Sequence, residues 1–325
     1  MQEPFEWAVV GAGPAGIASI GKLLDHGVNA KTISWIDPAF KAGDFGTSWR
    51  HVNSNTPVQS FMKFYENCSS FNFTKKQQTF FIEKMPSEKN CPLKIAAQPL
   101  HWLTEHLKEK VVVTTDVVTY LKKQNTLWEM KLQSEKNISA RKVILAIGAQ
   151  AKQLAFPQLP VISLATALDV EALKRAVTPE DYITVFGASQ SAKSVLENLK
   201  NVQAKKIILL YRTENTFERH LDMGLFPHVE AVPATPENLL IHIPKTSKAI
   251  YAVGFARRHI PIEGLPEDYG YDRATGTIAP GIFGVGIGFP EVRPYELGQL
   301  EYKLSAIWPF MKRLDKLLPQ WMKHS

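Results

Sequence analysis

A glycine-rich turn between two apolar segments near the start of the chain most strongly constrains the fold. Residues 5–10, FEWAVV, have the composition of a buried strand, and residues 11–16, GAGPAG, lead directly into a sequence of helical periodicity. Residues 32–36 then read as a second strand, which ends in Asp37. A lone glycine-rich turn is common, but a strand, turn, helix, second strand and acid in this order predict a dinucleotide-binding βαβ unit.

Each part of this motif has a physical role in holding a dinucleotide. The first glycine permits the tight turn, the second lets a pyrophosphate approach the backbone, and the third lets the helix pack closely on the strand. The start of the helix offers free N–H groups and a positive dipole end to the phosphates. The acid would accept hydrogen bonds from the ribose hydroxyls of the adenosine half. The predicted contacts are Gly11, Gly13, Pro14, Ala15, Gly16 and Asp37.

The composition excludes several classes of protein. The chain has 325 residues, enough for two domains, and a formal net charge of +7. Its Lys and Arg residues are scattered and no DNA-binding motif is present, so the charge favours attraction of a nucleotide over binding of nucleic acid. Cys68 and Cys91 are too far apart for a CxxC pair, and the histidines lack metal-ligand spacing, so neither a dithiol centre nor a metal site is predicted. Without a signal peptide or a membrane-length apolar stretch, a cytoplasmic protein is expected.

The pattern of the N-terminus recurs in the second half of the chain. Residues 182–186 read as a strand, residues 187–192, GASQSA, as the turn, and residues 206–211 as the next strand, which is followed by Arg212. The spacing from the end of the turn to the residue after the strand agrees with the first copy to within one residue. This internal repeat predicts two nucleotide sites rather than one.

The second copy differs from the first at informative positions. Ser189 stands where the central glycine is expected. Its side chain would either weaken pyrophosphate binding or add a hydroxyl contact to the pyrophosphate. Arg212 replaces the acid and can pair with a 2′-phosphate, which favours NADPH over NADH, although a solvated strand-end arginine is the alternative. The predicted contacts are Gly187, Ser189, Gln190, Ser191 and Arg212.

The segments around these motifs give weaker signals. Residues 38–99 show little periodicity, whereas residues 100–109 predict a helix. Residues 310–323 predict a short basic amphipathic helix, which is expected to pack on the domain or on a second subunit rather than on a membrane surface. A β-meander is predicted from the strand-like runs 111–114, 117–121 and 127–132, and a further buried strand from residues 142–147.

The whole pattern resembles flavoproteins with two dinucleotide-binding domains. Residues 146–148 resemble the junction before the inserted domain of these proteins. Residues 249–255 resemble the strand that closes that domain, and residues 275–286 resemble the segment that returns the chain to the flavin. The resemblance implies an α/β fold with two Rossmann-like domains. An NADP-binding domain, 161–259, is inserted into an FAD-binding domain of two segments, 1–160 and 260–325, that contains the meander.

Residues 46–64 resemble flavin-containing monooxygenases, in which a Gly-x-Trp element precedes Asn-x-Pro and Met-x-Phe elements. The flavin-proximal asparagine of that family maps to Asn55, which as a common turn former also has a purely structural interpretation. Three features depart from the family: a longer glycine–tryptophan spacer, no histidine fingerprint in residues 156–173, and Gly-Ile in place of the usual Gly-Asp of the return segment. The remaining FAD contacts implied are Gly46, Trp49, Gly148, Gly286 and Ile287.

The resemblance implies an FAD-dependent oxidoreductase that passes hydride from NADPH to FAD and then activates O2 on a small organic substrate. In this interpretation the cofactor carries the chemistry, and Asn55 is the residue that positions the activated oxygen. A reductase that passes electrons to a quinone or a protein is the second hypothesis. A flavin-bound nucleotide sensor with little turnover is the third, and a homodimer is compatible with each of them.

Overall fold

A computed structural model of the protein describes residues 3–294, 301–304 and 306–323. The strands, in chain order, are β1 (Phe5–Val10), β2 (Ile33–Ile36), β3 (Asn53–Pro57), β4 (Asn90–Pro92), β5 (Val112–Thr114), β6 (Val118–Gln124), β7 (Leu127–Leu132), β8 (Asn137–Leu145), β9 (Ala149–Ala151), β10 (Tyr182–Phe186), β11 (Lys206–Tyr211), β12 (Val229–Pro233), β13 (Lys248–Tyr251), β14 (Phe255–Arg257), β15 (Thr277–Ala279), β16 (Ile282–Gly284), β17 (Glu291–Pro294) and β18 (Glu301–Leu304). The α-helices are α1 (Pro14–Asp25), α2 (Val58–Asn67), α3 (Leu93–Lys108), α4 (Leu164–Ala167), α5 (Val170–Ala176), α6 (Gln190–Leu199), α7 (Glu214–His220), α8 (Pro236–His242) and α9 (Ile307–Lys323).

The chain divides into two compact units, one of residues 1–149 with 257–325 and one of residues 150–256. The first unit contains a sheet with the strand order β15-β16-β8-β1-β2-β5. In this sheet β1 pairs in parallel with both β2 and β8, and all four residues of β2 are buried. Continuous apolar strands of this kind are typical of parallel sheets whose two faces are both covered.

The β-meander of the first unit is shifted along the chain from its predicted position. The predicted first run forms β5, which pairs in parallel with β2 instead of joining the meander. The observed antiparallel meander is β6-β7-β8. The prediction for residues 111–114 was wrong because a short apolar run does not reveal which strand it will pair with.

The segment of little periodicity, residues 38–99, contains one helix and the start of another. Helix α2 falls inside residues 38–99, and α3 begins at Leu93 rather than at residue 100. Pro99 lies inside α3, and its presence made the first turns of that helix look like a loop. The apolar face of α3 is buried over its whole length, so packing overrides the unfavourable local propensity.

The C-terminal helix α9 is part of the core of the first unit. Its buried face packs in the same apolar cluster as α1 and α2, which confirms the predicted packing on the domain. Lys142 Nζ donates to the Met322 carbonyl at 2.9 Å, and Trp321 Nε1 donates to the Thr275 carbonyl at 2.7 Å. Within the described ranges, no helix combines the length and the apolar character that crossing a membrane requires.

The second unit contains a parallel sheet of four strands in the order β12-β11-β10-β13. Strands β10 and β11 occupy the residues predicted for the repeated motif. The predicted inserted domain began at residue 161, whereas this unit begins at residue 150. The earlier start follows from backbone pairing, because Ala249 N donates to the Pro160 carbonyl at 2.8 Å and Ile162 N donates to the Ala249 carbonyl at 2.9 Å.

Candidate functional site

The first glycine turn lies between β1 and α1, and packing requires glycine at two of its positions. Gly11 has a φ of +107°, and a Cβ atom placed on it would lie 2.4 Å from the Ala146 carbonyl oxygen. A Cβ atom on Gly16 would lie 1.9 Å from the Gly11 carbonyl oxygen. A Cβ atom on Gly13 would meet only the Gly43 Cα, at 3.8 Å. Of the three, Gly13 is therefore the glycine at which packing within the described residues does not by itself exclude a side chain.

The start of α1 is suited to an anion. Pro14 is its first residue, and in the described part of the chain no side chain caps the helix from its N-cap, Gly13. The N–H groups of Ala15 and Gly16 are among the donors that a helix leaves unpaired at its start. A pyrophosphate placed on the turn would satisfy these donors and the positive end of the helix dipole.

Asp37 fixes the glycine turn to the end of β2. Its Oδ2 accepts a hydrogen bond from Ala12 N at 2.7 Å, and its Oδ1 accepts from Ala39 N at 2.8 Å and from Phe40 N at 2.7 Å. A carboxylate has about four acceptor positions, so these three bonds leave about one position for a ribose hydroxyl. Asp37 therefore has capacity for a single ribose contact while it holds the turn in place.

The predicted FAD contact Gly286 packs against the start of α1, and the residues that follow it reach the predicted contact Gly148. Gly286 has a φ of +87°, and a Cβ atom on it would lie 2.7 Å from the Ala15 Cβ. A Cβ atom on Gly288 would lie 2.7 Å from the Gly148 carbonyl oxygen, so the return segment also contacts the predicted junction. Ile287, between these two glycines, is 45% exposed. These two glycines therefore let the return segment pack closely on the start of α1 and on the predicted junction.

Gly46 and Trp49, both predicted as FAD contacts, have packing roles in the structure. A Cβ atom on Gly46 would lie 1.9 Å from the Lys41 carbonyl oxygen and 2.6 Å from His101 Nε2. Burial, and then the nearby Arg50, lowers the pKa of His101, so the imidazole that packs here is neutral near pH 7. Trp49 is half-buried and packs against the main core.

Asn55 is exposed in β3, and its Oδ1 accepts a hydrogen bond from Thr56 Oγ1 at 3.4 Å. Its neighbour Ser54 is buried, and Ser54 Oγ accepts from Thr56 N at 2.8 Å. The local structure therefore holds the backbone of β3 while the Asn55 amide stays available to a ligand.

The second glycine turn reproduces the backbone geometry of the first. Gly187 also has a φ of +107°, and a Cβ atom on it would lie 2.3 Å from the Ala252 carbonyl oxygen. Gly187 N donates to the Leu210 carbonyl at 2.8 Å, as Gly11 N donates to the Ile36 carbonyl at 2.8 Å. The internal repeat is thus a repeat of structure as well as of sequence.

Ser189 occupies the N-cap position of α6, but its hydroxyl does not cap the helix within the described residues. Gln190 is exposed and Ser191 is half-buried at the start of α6. By contrast, three other helices of the same unit begin with an N-cap side chain that accepts a hydrogen bond from a backbone N–H of the first turn. These N-cap residues are Ser163, Asp169 and Thr235. Ser189 has the residue type of a cap but leaves the first N–H groups of α6, and its own hydroxyl, to a ligand.

Arg212 is exposed directly after β11, and within the part of the chain that the structure describes it forms no ion pair.

We predict that Arg212→Ala weakens NADPH binding by roughly ten- to a hundredfold, because one charge-assisted bidentate contact of about 1.5–3 kcal/mol is lost. NADH binding should change little. Equilibrium titration of both nucleotides measures this difference, with Arg175→Ala, at an exposed arginine of the same unit, as the control. An equal loss for NADH would contradict the prediction.

Both cysteines are free and buried. Burial is the largest cause that raises the pKa of the Cys68 thiol, and it also raises the pKa of the Cys91 thiol. A reactive cysteine requires an accessible thiolate, which these surroundings disfavour.

Each of the two units places a glycine turn between a strand of a parallel pair and a helix start that no N-cap side chain of the described residues caps, the arrangement typical of a dinucleotide site. The family model of the pyridine nucleotide-disulphide oxidoreductases matches residues 5–232, and the chain belongs to this family. It is therefore an FAD- and NAD(P)-dependent oxidoreductase, and the predicted fold class and the predicted flavin and nicotinamide cofactors are confirmed at this level.

Similar proteins of known name fall into two groups. The monooxygenase AgnR1 of Paecilomyces divaricatus is 28% identical, over 97% of this chain and 97% of its own. The structure resembles that of a double mutant of a flavin monooxygenase from Stenotrophomonas maltophilia, with a TM-score of 0.64, 14% identity and 98% coverage of both chains. It also resembles thioredoxin reductase from Lactococcus lactis, with a TM-score of 0.59, 12% identity and 98% coverage of both chains. At these identities the two solved structures establish a common fold alone.

Proposed function

We propose that the protein is an NADPH-dependent flavin monooxygenase, which uses FAD and O2 to oxygenate a small organic molecule. The observation that carries the proposal is that both cysteines of the chain are buried, although two turns with the backbone geometry of dinucleotide sites are present. The relative named as a monooxygenase, which matches almost the full length of the chain, supports the same activity.

The cysteines argue against disulfide reduction, the activity that gives the family part of its name. Reduction of a disulfide by dithiol exchange requires a thiolate that can attack and a second thiol that can resolve the mixed disulfide. Cys68 is 3% exposed and Cys91 is 0% exposed, and burial raises the pKa of both. Electrons that reach the flavin therefore need an acceptor other than a dithiol of this chain.

The residues of the two units would divide the remaining tasks. In the first unit, the open face of Gly13, the start of α1 and the last acceptor position of Asp37 would hold FAD. In the second unit, the Ser189 hydroxyl and the Arg212 guanidinium would hold NADPH. When bound, FAD supplies the chemistry of hydride acceptance and oxygen activation, while the protein binds, orients and excludes water. Asn55 is the side chain that we assign to orienting the activated oxygen.

The balance of NADPH and oxygen products tests this function. The protein is reduced with NADPH without air, and O2 is then admitted with an amine, a sulfide or a ketone. A monooxygenase incorporates an atom of ¹⁸O2 into one of these substrates and releases less than one hydrogen peroxide per NADPH. Faster turnover with a quinone and no labelled product would identify a reductase instead. A protein that NADPH does not reduce would act as a nucleotide sensor.

A further inference from the structure

An ion pair in the first unit joins two segments that are far apart in sequence. The Arg258 guanidinium contacts both carboxylate oxygens of Asp44, with Nη1 2.9 Å from Oδ2 and Nη2 3.0 Å from Oδ1. The same guanidinium donates to the Ile147 carbonyl at 3.4 Å, and the Arg258 backbone N donates to the Gly148 carbonyl at 3.2 Å. One residue thus holds the Asp44 segment and the Ile147–Gly148 segment together.

Both of these segments contact the first glycine turn. Asp44 lies in the 3-10 turn Gly43–Phe45, and a Cβ atom on Gly43 would lie 2.9 Å from the Gly13 Cα. At the other end of the turn, Gly11 packs against the carbonyl of Ala146, next to Ile147. The ion pair therefore ties down the segment that lies against Gly13, where the pyrophosphate of a dinucleotide must be placed.

The partial exposure of the pair suits it to fixing the position of one turn rather than to stabilising the whole unit. The Arg258 side chain is 41% exposed and the Asp44 side chain 22% exposed. Partly exposed ion pairs contribute little to the stability of a fold and are weakened by salt. A bidentate arginine–carboxylate pair nevertheless fixes geometry well, because two parallel hydrogen bonds set both distance and orientation. Loss of the pair is therefore expected to free the Gly43–Phe45 turn without unfolding the unit.

We propose that Arg258 is a positioning residue of the FAD site, which acts through Asp44 to hold the Gly43–Phe45 turn over the bound dinucleotide. The inference rests on the proposed FAD binding at Gly13 but not on the reaction that the flavin performs. FAD leaves the site only when this turn moves away from Gly13, and that movement separates Arg258 from Asp44. The strength of the pair thereby sets the rate of FAD release.

The rate of FAD release from the holoprotein tests the proposal. We expect Arg258→Gln and Asp44→Asn each to speed release about fivefold, the effect of an ion pair of this exposure. The double variant should release FAD no faster than either single variant, because both remove the same interaction. Arg258→Lys should be intermediate, since lysine keeps the charge but cannot form the bidentate pair. Added salt should speed release from the parent protein and have little effect on the variants.

A matched control separates this role from a general loss of stability. Lys122 and Glu129 form an ion pair of 2.9 Å in the meander, with side chains 38% and 15% exposed. Glu129→Gln should leave the rate of FAD release unchanged, and all variants should keep the unfolding midpoint of the parent. Release rates of Arg258→Gln and Asp44→Asn equal to that of Glu129→Gln would overturn the proposal, as would a parent protein that binds no FAD. Failure of oxygenation with normal FAD release would overturn the proposed function alone.

Discussion

Gly13→Val is expected to yield a folded protein that has lost its FAD. The valine side chain would occupy the space above the turn where the pyrophosphate must approach the N–H groups of α1. Loss of two charge-assisted hydrogen bonds corresponds to roughly 3 kcal/mol or more, and so to about a hundredfold or more in Kd. The fold should tolerate the change better than a change at Gly11 or Gly16, because the nearest atom to a Cβ at residue 13 is the Gly43 Cα, at 3.8 Å. Flavin absorbance per protein and the unfolding midpoint measure the two effects.

Two further glycine variants make this experiment specific. Gly270 has a backbone to which a Cβ atom can be added without any contact within 4 Å, so Gly270→Val should keep both FAD and stability. Gly11→Val should instead destabilise the unit, because the position combines a φ of +107° with a Cβ only 2.4 Å from a backbone oxygen. If Gly13→Val kept full flavin occupancy, the dinucleotide would not lie on this turn.

The parts of the fold that the sequence predicts well are those specified by local chemistry. The repeated strand–turn–helix units follow from apolar runs and glycines that lie within a few residues of one another. Strands β10 and β11 accordingly begin and end at the predicted residues. The positive φ of Gly11 and Gly187 follows from the same local signal.

The parts that the sequence does not predict depend on distant contacts. The parallel pairing of β5 with β2 and the burial of α3 around Pro99 are fixed by tertiary packing, which overrides local propensity. Asp44 and Arg258 are separated by 214 residues, so no motif connects them. The close approach of Gly46 to His101 is likewise invisible in a pattern of neighbouring residues, although it explains the glycine without a cofactor.

Asn55→Asp is expected to leave FAD binding and reduction by NADPH intact while it separates NADPH oxidation from oxygenation. Aspartate has nearly the size of asparagine but would replace an amide donor with a negative charge at the position that we propose orients the activated oxygen. Loss of one donor to developing oxygen charge typically costs on the order of a hundredfold in rate. The exposed position of Asn55 in β3 makes the change tolerable for the fold, since among the described residues its side chain bonds to the adjacent Thr56.

Asn53 provides a matched control on the same strand. Residues 53 and 55 are both exposed on either side of the buried Ser54, so Asn53→Asp introduces the same charge on the surface of the same strand. The measurement is the ratio of hydrogen peroxide released to NADPH consumed, with substrate present. We expect the ratio to rise to nearly one for Asn55→Asp and to stay at the parent value for Asn53→Asp. A parent protein that already releases one peroxide per NADPH has no oxygenation to lose, and Asn55 would then be a structural residue of a reductase.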